Sequence, residues 1–153
     1  MPQRTNLVRD MRKMEAVRIE SKSIGCGSPC LVIAEAGSNH NGDLDLACRQ
    51  IDIAARCGAD AIKFQVFRAS RMYSRNAGVS NYLKSSKAIY DIISAMEMPY
   101  EWIPILAEHS RAHGLIFLTS VFDEESVEQV APYVPAFKIS SYEMTHLPLI
   151  EHV

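Results

Sequence analysis

The sequence lacks the features that mark several large classes of protein. No apolar run approaches the roughly 20 residues that a membrane-spanning helix needs. The formal net charge is only −2 over 153 residues, so nothing in the charge balance favours nucleic acid or an anionic membrane as a partner. The amino-terminal stretch is polar and has no apolar core of the kind found in secretory signals. We therefore expect a cytoplasmic protein that binds neither nucleic acid nor a membrane.

Cysteine and glycine patterns that would indicate a metal or nucleotide site are also missing. Three residues separate Cys26 from Cys30, so the pair is not CxxC, and Cys48 and Cys57 fall within a helical pattern. No second Cys/His pair has zinc spacing, so we expect no metal ligand in this chain, and the lack of a secretion signal predicts that the four cysteines stay reduced. No GxGxxG or P-loop pattern follows the first predicted strand, as a nucleotide-binding sheet would usually show.

What the chain does contain is a regular alternation of strands and helices. Residues 1–23 form a polar leader that we predict to be disordered, and residues 24–153 form the folded part. Apolar, β-branched runs predict strands at 31–37, 61–67, 115–121 and 136–141, each followed by a helical pattern. Strands that are apolar on both faces are typical of a buried parallel sheet. A doubly wound open sheet and a (βα)8 barrel both fit this rhythm.

Polar side chains interrupt the predicted strands near their carboxyl ends. They are Glu35, Lys63, Gln65, Thr119, Ser120, Lys138, Ser140, Ser141 and Glu143. Lys63 and Gln65 are two residues apart, so they point to the same side of the sheet. A buried ion pair such as Glu35 with Lys63 is the simplest explanation, since a buried charge is costly unless it is paired. Lysines on two strands beside hydroxyl groups also suit a small anion that carries phosphate and carboxylate.

Four segments, in order and with matching spacing, resemble the N-acylneuraminate (sialic acid) synthase family. They are IAEAGSNHNG (33–42), GADAIKFQ (58–65), FLTSVF (117–122) and FKISSYE (137–143). The segments SAMEMPYEW (94–102) and SYEMTHLPL (141–149) are more similar still to the spore coat polysaccharide branch of that family. The resemblance covers residues 24–153. It implies an α/β fold of the (βα)8 TIM-barrel type, of which this chain holds the first four βα units.

The resemblance also implies a reaction. Members of the family condense phosphoenolpyruvate with N-acetylmannosamine or a related N-acylated amino sugar, using a divalent metal, Mn²⁺ or Mg²⁺. Lys63 and Lys138 match the lysines that hold phosphoenolpyruvate. Glu35 matches a glutamate near the reacting carbons that is suited to accept the proton of the attacking water. The metal ligands of the family would lie on later strands, so we expect none in this chain, and we expect a homo-oligomer.

Four further positions match substrate-binding residues of the family. Ser120 and Ser141 correspond to hydroxyl residues that contact the phosphate or carboxylate of phosphoenolpyruvate. Gln65 and Glu143 correspond to residues that bind the acylamino sugar. The family pattern has threonine where Ser120 stands and proline where Val121 stands, so the hydroxyl is kept while the shape of the adjoining loop differs.

Chain length leaves alternatives open. A closed barrel needs roughly 250 residues, so we expect a half-barrel that is inactive by itself. The alternatives are a self-pairing half-barrel, a remnant that binds anions without turnover, and a non-catalytic module that binds phosphosugars or has a regulatory role. His40 is predicted to fix the turn after the first strand. The remaining histidines fall in helical segments and are predicted to lie on the surface: His109, His113, His146 and His152.

Overall fold

A computed structural model describes residues 16–79 and 86–153. The strands are Val17–Ile19 (β1), Lys22–Ile24 (β2), Ile33–Gly37 (β3), Ala61–Val66 (β4), Ile116–Val121 (β5) and Phe137–Ile139 (β6). The helices are Leu44–Arg56 (α1), Ala69–Met72 (α2), Ile89–Ser94 (α3), Trp102–Ala112 (α4), Glu124–Val130 (α5) and Leu147–His152 (α6). No helix among these is long and apolar enough to cross a membrane.

The main sheet is parallel, and its strands follow one another in chain order, β3-β4-β5-β6. Its outer face carries Ile62, Phe64 and Val66 of β4, which pack in one cluster with residues of α1, α4 and α5. A doubly wound sheet reverses its strand order and carries helices on both faces. Sequential order with this helix layer on one face is the arrangement of a (βα)8 barrel wall.

Local sequence explains where the helices of this layer begin. Asp43 precedes α1 and accepts a hydrogen bond from the backbone N–H of Leu46 at 3.0 Å. Asp123 does the same for α5, accepting at 2.8 Å from the backbone N–H of Ser126. Pro104 lies in the first turn of α4, where a backbone N–H has no partner within the helix, so the proline leaves the helix intact.

The described part of the predicted leader is folded, which corrects that prediction. Strands β1 and β2 pair antiparallel, with Val17 opposite Ile24, while residues 1–15 lie outside the described residues. Ile19 packs on Ala61, Ile116 and Leu118 of the inner sheet face. This contact was missed because three-residue strands give almost no periodic signal, and tertiary burial decides whether they form.

Replacing Asp60 with asparagine should destabilise the fold by freeing this hairpin. Asp60 pairs with Lys22 of β2 and accepts a hydrogen bond from the backbone N–H of Val32 at 2.8 Å. The bond from Lys22, and next that from Val32, hold the pKa of Asp60 below its ordinary value. A lowered folded-state pKa stabilises above the unfolded pKa of about 4, and that stabilisation is lost as the pH falls through the folded value. Urea unfolding should therefore separate wild type from variant at pH 7, and the gap should shrink progressively as the pH falls below about 4. An equal gap at neutral and at acidic pH would contradict this account.

Candidate active site

The polar residues singled out in the strands lie in two rows across the inner face of the sheet. In one row Glu35 of β3 is in register with Lys63 of β4. In the other, Gln65 is in register with Ser120 of β5, which is in register with Lys138 of β6. Residues in register on neighbouring parallel strands point to the same face. The second row lies in the carboxyl-terminal halves of β4 and β5, where barrel enzymes build their active sites, and Lys63 lies two residues before Gln65 on β4.

Lys63 joins the two rows. Its side chain is buried, with 8% of the residue exposed, and its Nζ donates a hydrogen bond to Ser120 Oγ at 3.1 Å. It also forms an ion pair with Glu35, whose side chain remains 54% exposed. The ion pair suggested by the sequence is thus present, with one partner in the protein interior and the other half in solvent. A buried ammonium held this way has only part of its donor capacity used within the protein.

A cleft of about 780 Å³ opens beside the second row, above the carboxyl ends of the strands. Four of the predicted substrate-binding residues or lysines line it: Gln65, Lys138, Ser141 and Glu143. Lys138 is exposed and has no hydrogen bond or ion pair with any residue that the structure describes. A lysine with a free ammonium in a concave site is suited to hold an anion.

The other three predicted site residues do not line this cleft. Ser120 is fully buried and its hydroxyl is occupied by Lys63, so it meets a ligand only through that lysine. Glu35 lines a smaller cleft of about 300 Å³ beside α1. The two clefts come close at Gly37, where a Cβ atom would stand 3.5 Å from Glu35 Oε1 and 3.8 Å from Gln65 Oε1. Both distances are ordinary van der Waals contacts, so it is the φ of 60°, a left-handed conformation, that favours glycine at position 37.

Three residues of the cleft were not foreseen. His146 was predicted to be a surface residue of a helix, but it precedes α6, lines the cleft and has its Nδ1 3.6 Å from Glu143. Arg71 of α2 also lines the cleft and pairs with Glu125 at 3.2 Å. Ser38 contributes from the loop after β3. For His146 a signal existed, because it lies three residues after Glu143. Arg71 lies in a long connection with no readable period.

Two polar residues near the site turn away from it. Thr119 alternates with Ser120 along β5 and therefore faces the helix layer, where it is fully buried. His40 is also fully buried, and its Nδ1 accepts a hydrogen bond from the backbone N–H of Gly42 at 3.2 Å. Burial lowers the pKa of His40, which keeps the ring neutral. Its contact with Gly42 supports the predicted turn role, while the helix cap comes from Asp43.

The cleft does not present a set of metal ligands. Over residues 16–79 and 86–153, a single group of three or more metal-binding side chains has its ligand atoms close together, and that group lies in the helix layer, away from the cleft. Glu143 and His146 are near each other without a third donor of this kind. The prediction that the divalent metal of the complete enzyme takes its ligands elsewhere stays a prediction.

The fold places the chain in the class of (βα)8-type barrels, of which it holds four βα units with polar residues on their inner face. The NeuB family profile matches residues 50–153, and the chain belongs to that family. This confirms the family and the barrel type that the sequence motifs implied. The match to individual relatives agrees with it.

The chain is similar to the spore coat polysaccharide biosynthesis protein SpsE of Bacillus subtilis (strain 168), with 45% identity over 142 residues, covering 92% of this chain and 38% of the relative. It is 36% identical over 136 residues to an N,N'-diacetyllegionaminic acid synthase of Legionella pneumophila, covering 86% of this chain and 38% of that one. A solved N-acetylneuraminic acid (sialic acid) synthetase from Leptospira borgpetersenii in complex with citrate has a TM-score of 0.78 and 29% identity, covering 90% of this chain and 45% of that structure. The chain thus spans less than half the length of these relatives.

Proposed function

We propose that this chain carries the phosphoenolpyruvate-binding wall of a synthase that joins phosphoenolpyruvate to an N-acylated amino sugar. The observation that carries the proposal is the placing of two lysines around Ser120. Lys63 donates to its hydroxyl from one side, and Lys138 is in register with it on the other. Two ammonium groups on one rigid sheet face suit a ligand with two anionic groups, a phosphate and a carboxylate.

The proposed reaction forms one carbon–carbon bond and releases phosphate. C3 of phosphoenolpyruvate attacks the aldehyde carbon of the open-chain sugar, whose oxygen takes up a proton to become a hydroxyl. Water adds to the positive centre that develops at C2 and gives its proton to a base. The tetrahedral carbon then expels phosphate, leaving the keto acid. A complete synthase is expected to use Mn²⁺ or Mg²⁺ to polarise the aldehyde.

Each side chain has a role in this scheme. Lys63 and Lys138 hold the phosphate and carboxylate and stabilise the negative charge on the leaving group. Glu35, a carboxylate beside Lys63 and half exposed to solvent, is placed to take the proton of the water. Ser141 offers a further hydroxyl at the cleft, and Ser120 positions Lys63.

The amino sugar is assigned to the wider part of the same cleft. Gln65 and Glu143 line it and supply amide and carboxylate groups, which pair well with the hydroxyl and acylamino groups of a sugar. Aromatic side chains of Phe67, Tyr73 and Phe122 line it as well and offer an apolar surface for the sugar ring or the acyl methyl group. Which acylated sugar is used is left open by these residues. A homo-oligomer in the cytoplasm remains part of the prediction.

Titration calorimetry of phosphoenolpyruvate into the chain, with and without Mn²⁺, tests the proposal. The Lys63→Ala/Lys138→Ala variant should bind at least about 100-fold more weakly, because each lysine supplies a charge-assisted hydrogen bond. The matched control is Arg18→Ala/Arg49→Ala, which removes the same amount of charge from exposed sites remote from the cleft. Its affinity should stay within about threefold of wild type, since distant surface charges are screened. The proposal would be refuted if both variants bound phosphoenolpyruvate equally weakly, or if a folded wild-type chain did not bind it.

A further inference from the structure

We infer that Asp52, His109 and His113 form a binding site for a divalent transition metal, of which Zn²⁺ is the favoured ion, in the helix layer. One ligand atom from each residue lies within 4.8 Å of the others. The Nε2 atom of His109 is 2.7 Å from Asp52 Oδ1, and the Nε2 atom of His113 is 3.4 Å from the same oxygen. This site is independent of the proposed function, since none of its residues lines the cleft.

Secondary structure places the three donors. His109 and His113 are four residues apart at the carboxyl end of α4, so both rings lie on one face of that helix. Their ring centroids are 4.4 Å apart. Asp52 comes from the neighbouring helix α1. Two histidines at this spacing with a carboxylate across a helix pair make a three-ligand set that leaves room for a water molecule as the fourth ligand.

The hydrogen bond made by the other nitrogen of His113 is the strongest argument for a cation. Nδ1 of His113 lies 2.8 Å from the carbonyl oxygen of His109, and a carbonyl only accepts, so Nδ1 carries the proton. In the neutral ring Nε2 then carries no proton and presents a lone pair to Asp52 Oδ1, which lies 3.4 Å away. Two acceptors held face to face need a cation between them, either a second proton on the ring or a metal ion. A backbone carbonyl on the non-ligating nitrogen is also the usual support for a metal-binding histidine.

Chemistry and access both favour a borderline transition metal. Two imidazoles and one carboxylate suit Zn²⁺ and its neighbours, whereas Mg²⁺ prefers all-oxygen sites. The side chains of Asp52, His109 and His113 are 37%, 31% and 39% exposed, so an ion can enter without unfolding. A bound ion would connect α1 to α4 and stabilise the helix layer behind the sheet.

Zinc titration of the metal-stripped chain tests this site. The free thiols of Cys26, Cys30 and Cys57 are exposed and would bind zinc themselves, so every arm uses a background in which these three are serine. One equivalent of Zn²⁺ should bind and raise the melting temperature by several degrees. His113→Ala and Asp52→Asn should each weaken zinc binding at least tenfold and remove most of the thermal shift. Co²⁺ should bind with a visible absorption band that both variants lose.

The matched control is His152→Ala, which removes an exposed histidine paired with Glu128 at 2.8 Å but has no second histidine beside it. Its zinc affinity should equal that of the background. The site is refuted if the background shows no saturable zinc binding, or if His113→Ala and His152→Ala bind zinc equally. Far-UV circular dichroism identifies a variant that has lost its fold, and His113→Gln then replaces His113→Ala with the same expected loss.

Discussion

Phosphoenolpyruvate should bind about 100-fold more weakly to a Lys63→Met variant, while the free energy of unfolding should fall by no more than about 1–2 kcal/mol. One or two charge-assisted hydrogen bonds of about 1.5–3 kcal/mol each account for the weaker binding. Stability should survive because methionine fills the same buried space without a charge to desolvate. Two partners are left behind: Glu35 is half exposed, so water can solvate its carboxylate, whereas the buried hydroxyl of Ser120 loses a hydrogen bond at a cost of about 1–2 kcal/mol. Calorimetry with phosphoenolpyruvate and urea unfolding measure the two effects separately.

The reciprocal substitution is the control. Glu35→Gln leaves the Lys63 ammonium buried without its counter-ion, so it should lower the free energy of unfolding more than Lys63→Met does. The two substitutions are therefore expected to change the free energy of unfolding by different amounts, because Lys63 is buried and Glu35 is half exposed. If Lys63→Met unfolds the chain and Glu35→Gln leaves it folded, Lys63 is a structural residue of the core, and the proposal that it binds phosphoenolpyruvate is wrong.

Replacing Phe64 with alanine should cost about 3–5 kcal/mol of unfolding free energy. Phe64 is fully buried at the centre of β4, between the strands and the helix layer, and its ring lies 6.0 Å from that of Phe117. The truncation removes the apolar contacts and leaves a cavity that a rigid parallel sheet cannot close. A loss of this size is a large part of the 5–15 kcal/mol that typically stabilises a domain.

Urea unfolding of Phe64→Ala, Phe64→Leu and Val17→Ala checks this expectation. Phe64→Leu keeps most of the volume and should cost well under half as much. Val17 is 62% exposed on β1, so its truncation should change the stability by no more than about 0.5 kcal/mol. Comparable losses for Phe64→Ala and Val17→Ala would mean that the sheet and helix layer are not the core of the fold.

Much of the barrel wall could be predicted from the sequence because its signals are local. The apolar runs of β4 and β5 are continuous, so they predict strands buried on both faces. The caps of α1 and α5, Asp43 and Asp123, act on backbone groups three residues away. Alternation along β4 was enough to place Lys63 and Gln65 on one face, opposite Phe64. Contacts between residues that are close in the sequence can therefore be predicted from the sequence alone.

One charge pair across strands could also be predicted from the sequence, but the partners of the neighbouring polar residues could not. The sequence suggested Glu35 with Lys63, and the register of β3 on β4 places them together. The sequence did not show that the Ser120 hydroxyl accepts a hydrogen bond from Lys63 and so does not face a ligand. That contact depends on how β5 lies against β4 in the folded sheet. The sequence equally could not show that Lys138 would line the cleft without a partner among residues 16–79 and 86–153, since that depends on how distant residues pack around it.

The sequence by itself determined the order of elements, the parallel sheet, the family and the face that bears the lysines, because each rests on periodicity or on a motif read along the chain. Only the tertiary structure decided that β1 and β2 fold onto the inner face, that His146 borders the cleft, and that His109 and His113 meet Asp52. Those contacts join residues between about 40 and 100 positions apart or depend on the exact end of a helix. Their free energy comes from packing that no local pattern encodes.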